Sequence, residues 1–428
     1  MPRSPAHPVN SAVAVVLAGG GARGAYEIGA LSALLPRLQQ RGERPQVFVG
    51  TSVGAINAAF LASTAADPLD SVLANGSRLW SEIGFDDVLR PLLSPAELAR
   101  AVGSLGEFLR LPGAHLWSLL DPSPLARTLR SRIRLGRIHS AVAGGALKAA
   151  AVVATSGHSG GSVVFHDGGG RIAADRQRAI EYVPTRLGLD HVRASAAIPG
   201  VFPGVRVSSP RAAAGWYFDG GTRLNTPFKP ALALGADRVV VIALNSLRSA
   251  GKRGRPEALD GASQLAQAIL VDPLVHDVQT LATINTILDA SAGTPRPEAG
   301  PTRPRQTPSR ATARTPRADT GRPRSSGHKR VPYILVAPER PEEIGAIASR
   351  VYREHYAGLI DAASSPSLAL LGRAFNAGQS SARGELFSYL FFAREFAEAL
   401  MRRGREDAER WLRRRHDDGP WQVRKLPT

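Results

Sequence analysis

The chain reads Val47-Phe48-Val49-Gly50-Thr51-Ser52-Val53-Gly54 and continues with a small-residue and apolar run over 55–61. An apolar strand, a G-x-S-x-G turn and a helix in this order are the sequence form of a nucleophile elbow. A serine at such a turn points out of the sheet. The flanking Gly50 and Gly54 are needed because a Cβ there would clash with the neighbouring strand and helix. The pattern predicts that Ser52 is a nucleophile; the other interpretation is a turn of small residues that arose by chance.

A second glycine motif, Gly19-Gly20-Gly21-Ala22-Arg23-Gly24, lies between the apolar run 12–17 and the helix-forming run 25–35. Such a turn points several backbone N–H groups at one spot, near the positive end of a helix. It could bind a dinucleotide pyrophosphate, hold the oxyanion of an acyl-transfer intermediate, or only let strand and helix pack closely. Dinucleotide binding needs an acid at the end of the second strand, about 20 residues on. Glu43 is near that distance but lies in a turn, whereas the second strand ends at Ser52.

A third motif, Trp216-Tyr217-Phe218-Asp219-Gly220-Gly221, places a carboxylate at the end of an aromatic strand. From there Asp219 could act as general base for a serine hydroxyl, and Gly220 and Gly221 would let another segment approach closely. Asp-Gly is also the commonest turn signal. Taken alone, this motif favours a plain turn.

Together the three motifs resemble those of the patatin-like phospholipases. The run Ala194-Ser195-Ala196-Ala197-Ile198-Pro199-Gly200-Val201-Phe202-Pro203, then Asn225-Thr226-Pro227, and then 232–242 are also similar to that family. The resemblance covers residues 13–245, somewhat over half of the chain.

The resemblance implies a catalytic Ser–Asp dyad, with Ser52 as nucleophile and Asp219 as proton acceptor. The backbone N–H groups of Gly19, Gly20, Gly21, Ala22, Arg23 and Gly24 would form the oxyanion hole. An aspartate can act as base near neutral pH only if burial raises its pKa, and we expect the apolar strand 216–218 to supply that burial. For Arg23 we favour ordering of the glycine loop over contact with a phosphate headgroup.

The function implied is that of a lipid acyl hydrolase of phospholipase A or esterase type, which works through an acyl-enzyme on phospholipids or other lipid esters. One alternative is an acyltransferase that uses the same acyl-serine. Another is a non-catalytic, basic membrane-binding protein. The chemistry requires no cofactor. The sequence has no cysteine, no H-E-x-x-H motif and no D-x-D-x-D-G calcium loop, so no metal site is expected.

The net charge of +18 is unevenly placed. Residues 293–330 carry ten Lys or Arg against two acids, with seven prolines and almost no large apolar side chains, and are interpreted as a disordered linker. Residues 401–428 add nine basic against five acidic residues. Such a charge could attract the protein to an anionic membrane surface or to nucleic acid. Nucleic acid is the less favoured of these two partners. The charge is equally typical of a solvated linker in an arginine-rich protein.

The N-terminal residues 1–10 lack the apolar core of a signal peptide, and no apolar run is long enough to span a membrane. We therefore expect a cytoplasmic protein, with peripheral membrane contact or specialised export left open. Strands alternating with helices predict an α/β fold of three layers, in which helices flank a central, mostly parallel sheet. The predicted divisions are a catalytic region at 13–245, a helical extension at 246–292, the linker at 293–330, and a strand plus helices at 331–428 packed on the catalytic region.

Helical patterns are clear in the C-terminal half of the chain. They cover the amphipathic stretch 262–290 and the runs 342–363 and 385–416. The aromatic residues at 386–392 could form an interfacial element that enters lipid, but we favour core packing for them.

Overall fold

A nine-stranded mixed sheet forms the centre of the computed structural model. Its strands are β1 Val13–Leu17, β2 Pro45–Thr51, β5 Ala149–Ser156, β6 Ser162–Gly168, β7 Ile180–Pro184, β8 Val205–Val207, β9 Gly215–Asp219, β10 Arg238–Ile242 and β11 Tyr333–Val336, while β3 Arg90–Pro91 and β4 Leu120–Asp121 form a separate ribbon. The strand order is β11-β10-β1-β2-β5-β6-β7, with β9 paired to β5 and β8 paired to β9. The structure describes residues 11–91, 120–121, 123–199, 202–247, 330–358, 366–374 and 381–424.

Helices lie on both faces of this sheet. They are α1 Gly24–Gln40, α2 Val53–Ser63, α3 Leu69–Glu82, α4 Phe85–Val88, α5 Ser123–Arg132, α6 Gly136–Ala143, α7 Leu189–Ser195, α8 Phe228–Ala233, α9 Glu343–His355, α10 Pro366–Ala374, α11 Ser381–Phe387 and α12 Arg394–Arg413. The central strands β1 and β10 are buried along their whole length. Continuous apolar runs of this kind are typical of parallel strands covered on both faces. The predicted α/β class with a mostly parallel sheet is thus confirmed.

The parallel pairing of β1 with β2 brings the first two motifs together. Both glycine turns leave the carboxyl ends of their strands, and those ends meet at one edge of a parallel sheet. The loop 19–24 therefore lies beside the turn that carries Ser52.

The C-terminal residues complete the same fold. β11 runs parallel to β10 at the sheet edge, and α12 packs against α1 at very short range. A Cβ on Gly29 would lie 2.1 Å from the carbonyl oxygen of Met401, and one on Gly404 would lie 2.1 Å from that of Tyr26. Glycine is required at this helix crossing because the two backbones leave no room for a side chain.

Two expectations for the C-terminal half change, and a third falls outside the described residues. The helical stretch expected over 385–416 is interrupted at 388–393, between α11 and α12. The helix expected over 342–363 ends at His355. The amphipathic stretch at 262–290, and with it most of the extension at 246–292 and of the linker at 293–330, lies outside the described residues.

The aromatic run 386–392 belongs mainly to the core, as expected. Phe387 and Phe391 are fully buried, and their ring centroids lie 4.4 Å apart. Within the described part of the chain, no helix combines the length and the apolar character needed to cross a membrane.

Candidate active site

Ser52 occupies a strained turn between β2 and α2. Its backbone has φ 55° and ψ −123°, an unusual conformation for a residue with a side chain. A Cβ on Gly50 would lie 2.0 Å from the carbonyl oxygen of Gly54, and one on Gly54 would lie 2.3 Å from that of Leu17. Strand and helix therefore meet with no space for side chains at these two positions. Strain of this type concentrates where a functional side chain must be presented.

A buried serine that the sequence did not single out for a role supports this turn. The Ser52 backbone N–H donates a 2.9 Å hydrogen bond to Ser195 Oγ, and the Ser195 hydroxyl donates in turn to the carbonyl of Val153 at 2.5 Å. Ser195 lies in the run 194–203 that carries part of the family resemblance. That run was the available signal, but only the fold shows that its serine contacts the elbow.

The sheet register brings Asp219 next to Ser52. β2 ends with Thr51 opposite Val153 of β5. The antiparallel pairing of β9 with β5 starts at the next position of β5, where Asp219, the last residue of β9, lies opposite Ala154. Since β6 pairs along the other edge of β5, β9 continues the edge on which β2 stops. The carboxylate at the end of β9 therefore faces the point where the chain turns into the elbow.

Burial sets the proton affinity of Asp219. Desolvation raises its pKa from 3.8 to about 7, while the Ser52 hydroxyl and the Gly221 N–H both lower it. Asp219 Oδ1 accepts a 2.7 Å hydrogen bond from Gly221, whereas Oδ2 is buried without a well-aligned partner among the described residues. The Ser52 hydroxyl thus lies close enough to stabilise the charge without completing an aligned hydrogen bond. Such bonds often tighten only when substrate binds.

The expected source of this burial was wrong in part. Trp216 is 59% exposed, so it does not cover the carboxylate. Asp219 is instead enclosed by β5 and by the segment after α7, where its N–H donates to the carbonyl of Ala197 at 2.8 Å. Gly220 packs against the Val153 carbonyl, which a Cβ would approach to 2.3 Å.

Four of the six N–H groups expected to form the oxyanion hole have other acceptors. Gly19 donates to the carbonyl of Asn225 at 3.2 Å, Ala22 to that of Tyr389 at 2.9 Å, and Arg23 to that of Gly20 at 3.3 Å. Gly24 donates to the carbonyl of Gly21. Among the described residues, none accepts from the N–H of Gly20 or Gly21. Of the six expected donors, the N–H groups of Gly20 and Gly21 therefore remain as candidates for the oxyanion hole.

Arg23 is fully buried and turned away from the cleft. Its guanidinium donates to Ser388 Oγ at 2.8 Å and to Asn245 Oδ1 at 2.8 Å, and lies 2.9 Å from Glu385 Oε1. It also lies 3.8 Å from the centre of the Tyr389 ring. The geometry fits a role in ordering the loop and leaves the group unavailable to a headgroup.

An apolar cleft leads to Ser52 and Gly21. Its walls are mostly aliphatic and aromatic side chains from α2, α3 and α5, together with Ile198 and side chains of 389–392. They include Ile56, Leu79, Trp80, Leu129, Phe202 and Phe392. A cleft of this composition suits a hydrocarbon chain.

None of the described histidines lines the cleft beside Ser52, and His139, His191 and His166 lie elsewhere in the fold. His139 faces Asp167, with Nδ1 3.1 Å from Oδ1. His191 contacts the carbonyl of Ser209 at 2.7 Å. His166 lies on β6, where burial lowers its pKa. The described residues contain no cluster of three or more His, Asp or Glu suited to a metal ion.

Comparisons with known proteins bear on this arrangement. The sequence model described as patatin-like phospholipase matches residues 15–232, just over half of the chain. A sequence search of curated proteins finds no match.

Two solved structures show a weaker likeness. VipD from Legionella pneumophila is 15% identical, with 66% of this chain and 55% of VipD covered and a TM-score of 0.27. Human GIVD cytosolic phospholipase A2, solved with methyl gamma-linolenyl fluorophosphonate and terbium chloride, is 13% identical, with 96% of this chain and 61% of that chain covered and a TM-score of 0.31. The chain thus spans little more than half the length of these proteins, and TM-scores this low do not by themselves establish a common fold.

Proposed function

The chain belongs to the patatin-like phospholipase family, and on that premise we propose that it is a serine-dependent lipid acyl hydrolase of phospholipase A or esterase type. One observation carries the proposal: a serine on a strained elbow faces a buried aspartate whose pKa is about 7. A serine hydroxyl becomes a good nucleophile only when a base takes its proton. A base whose pKa lies near the working pH is ionised in a large fraction of the molecules and still has a high affinity for the proton.

In the proposed mechanism, Ser52 Oγ bonds to the ester carbonyl carbon while its proton passes to Asp219. The negative charge that develops on the carbonyl oxygen is stabilised by the N–H groups of Gly20 and Gly21. When this tetrahedral intermediate collapses, the bond between the carbonyl carbon and the alcohol oxygen breaks, and the alcohol leaves with the proton from Asp219. Water then repeats these steps on the acyl-serine and releases the carboxylic acid.

The apolar cleft explains why the substrate would be a lipid. Burying a methylene group contributes about 0.8 kcal/mol, and the cleft offers aliphatic and aromatic walls directly beside Ser52. A long acyl chain would therefore bind with its ester group at the serine and its hydrocarbon part among Ile56, Trp80 and Phe202.

We expect purified protein to convert phosphatidylcholine vesicles into free fatty acid and lysophospholipid, measured by mass spectrometry, with the Ser52→Ala variant as control. Repeating the reaction with added glycerol separates the alternatives, because an acyltransferase would give acylglycerol in place of free acid. Folded protein that neither releases acid nor reacts with a fluorophosphonate probe would favour the non-catalytic alternative.

We further propose that the basic residues of 293–330 attract the enzyme to anionic membranes. The argument rests on charge, since each Lys or Arg near such a surface contributes about 1 kcal/mol. Replacing the ten cations of this segment by Gln keeps its length and should weaken binding to phosphatidylserine vesicles in a sedimentation assay, most strongly at low salt. Activity on those vesicles should fall, whereas turnover of a soluble short-chain ester should stay within about twofold, because no site residue changes. If binding to the vesicles changes neither with the substitutions nor with the salt concentration, this proposal is wrong.

A further inference from the structure

The loop that carries Gly20 and Gly21 is held by a part of the chain beyond the matched region 15–232. The contacts come from residues 385–389, at the end of α11 and in the turn that follows it. This C-terminal clamp, defined as Glu385, Ser388 and Tyr389, touches the loop both through Arg23 and through the backbone.

Arg23 is the side-chain connection between loop and clamp. Its three nitrogens each meet a group of the clamp: Nε donates to Ser388 Oγ at 2.8 Å, Nη2 donates to the Glu385 carbonyl at 2.5 Å, and Nη1 lies 2.9 Å from Glu385 Oε1. Since the guanidinium is planar and rigid, these contacts define its orientation closely. They thereby position the backbone of Arg23 at the start of α1.

Tyr389 is the backbone connection. Its carbonyl accepts the Ala22 N–H at 2.9 Å. The same carbonyl oxygen would lie 2.1 Å from a Cβ on Gly21, whose φ is +60°. Both the left-handed conformation and this close contact require glycine. The Tyr389 carbonyl therefore helps to determine which way the peptide groups at 20–22 point.

The clamp is itself firmly placed. Glu385 Oε2 accepts the Gly345 N–H of α9 at 2.9 Å, and the Ser388 hydroxyl donates to the Glu385 carbonyl at 2.6 Å. Ser388 is fully buried and Glu385 nearly so. The clamp thus connects the glycine loop to a helix of the C-terminal region rather than to a solvated side chain.

We propose that Glu385 and Ser388 are positioning residues for acyl transfer, acting through Arg23 on the oxyanion donors Gly20 and Gly21. The inference rests on the proposed function and adds that the catalytic unit extends past the matched region into the C-terminal helices. Donors that stabilise charge only in the transition state change kcat, not substrate binding. Loss of the clamp should therefore lower kcat and leave KM almost unchanged.

The test is a double-mutant cycle of Arg23→Met, Glu385→Gln and both together, assayed on a soluble short-chain ester. Glu385→Gln keeps the shape of the side chain and removes its charge. We expect each single change to lower kcat by roughly 10- to 100-fold, a fraction of what a lost oxyanion donor costs, with KM within about twofold. The double variant should be no slower than the slower single variant, because both changes break one connection.

Glu343→Gln is the matched control. The side chains of Glu343 and Glu385 are both 10% exposed, but Glu343 pairs with Arg403, at 3.2 Å, and not with the loop. Its kcat should match the wild type even if its thermal stability falls as much as that of Glu385→Gln. Assays are run well below the melting temperature of every variant.

Three results would overturn the inference while leaving the proposed function intact: wild-type kcat in Glu385→Gln, independent and multiplying losses in the double variant, or an equal loss of kcat in Glu343→Gln. Wild-type protein without Ser52-dependent hydrolysis is a different outcome, since it would overturn the proposed function and this inference with it.

Discussion

Replacing Ser52 by alanine should lower kcat/KM for ester hydrolysis by at least about 10³-fold, as nucleophile deletions do in other serine hydrolases. The change removes the hydroxyl that would form the acyl-enzyme and retains the Cβ that the turn already accommodates. The backbone bond from residue 52 to Ser195 Oγ does not depend on the side chain. We therefore expect the variant to remain folded, with a circular dichroism spectrum like that of the wild type.

Ser63→Ala is a suitable control for this experiment. Ser63 is another buried serine at the far end of α2, where its hydroxyl donates to the carbonyl of Phe60 at 2.8 Å. The control should keep near wild-type activity and its labelling by a fluorophosphonate probe, and Ser52→Ala should lose both. Hydrolysis by Ser52→Ala at the wild-type rate would rule out Ser52 as nucleophile.

Asp219→Asn should have the second large effect, a loss of about 10²- to 10⁴-fold in kcat, the range that a positioned general base contributes. The amide cannot accept the serine proton. His276→Ala should retain most activity if the site is a dyad. His276 is the first histidine after Asp219 and lies outside the described residues. An essential His276 would mean that the site is a triad in which a histidine is the base.

The pH dependence of kcat/KM is an independent test of Asp219 as the general base. As general base, Asp219 acts in its ionised form, so kcat/KM should rise about tenfold per pH unit below a pKa of about 7 and level off above it. A profile that is flat between pH 5 and 8 would remove Asp219 from the role of base.

The contribution of Asp219 to folding stability should fall as the pH rises, whereas the activity should increase. Burial raises the pKa of Asp219 above its unfolded value of 3.8, so its contribution to stability is present below about pH 4 and is lost as the pH rises to about 7. The amide introduced by Asp219→Asn does not ionise. In thermal unfolding experiments, the melting temperature of Asp219→Asn relative to wild type should therefore be higher at pH 8 than at pH 4. This comparison also shows that a loss of activity is not a loss of fold.

Local patterns pointed to the main residues of the proposed site, and the resemblance of the three motifs together to one family gave Ser52 and Asp219 their proposed roles. The elbow around Ser52, the glycine loop and Asp219 each have a signature within a few residues, because steric limits on a tight turn dictate glycine at particular positions. The apolar runs that became β1, β2 and β10 likewise report burial on both faces directly. Since a parallel sheet gathers strand ends on one edge, even the proximity of the two glycine turns follows from the strand-turn-helix order.

The sequence patterns did not predict contacts between residues that are far apart in the chain. Of six candidate oxyanion donors, the sequence could not show that Gly19 and Ala22 are already paired, because their acceptors, Asn225 and Tyr389, are distant in the chain. For the same reason it could not find Ser195 below the elbow, or the pairing of Arg23 with Glu385 across 362 positions. Trp216 was misjudged because alternation along a strand does not reveal which face another element covers.

The sequence by itself therefore determined the fold class, because backbone sterics and burial act within short segments. It also indicated the proposed nucleophile and base, through the resemblance of its three short motifs to one family. Tertiary structure alone decided which N–H groups remain for an oxyanion, what buries Asp219, and that residues near 385–392 border the site. Each of these depends, at least in part, on a hydrogen bond or close contact between segments far apart in the chain, and a sequence pattern carries no distance between such segments.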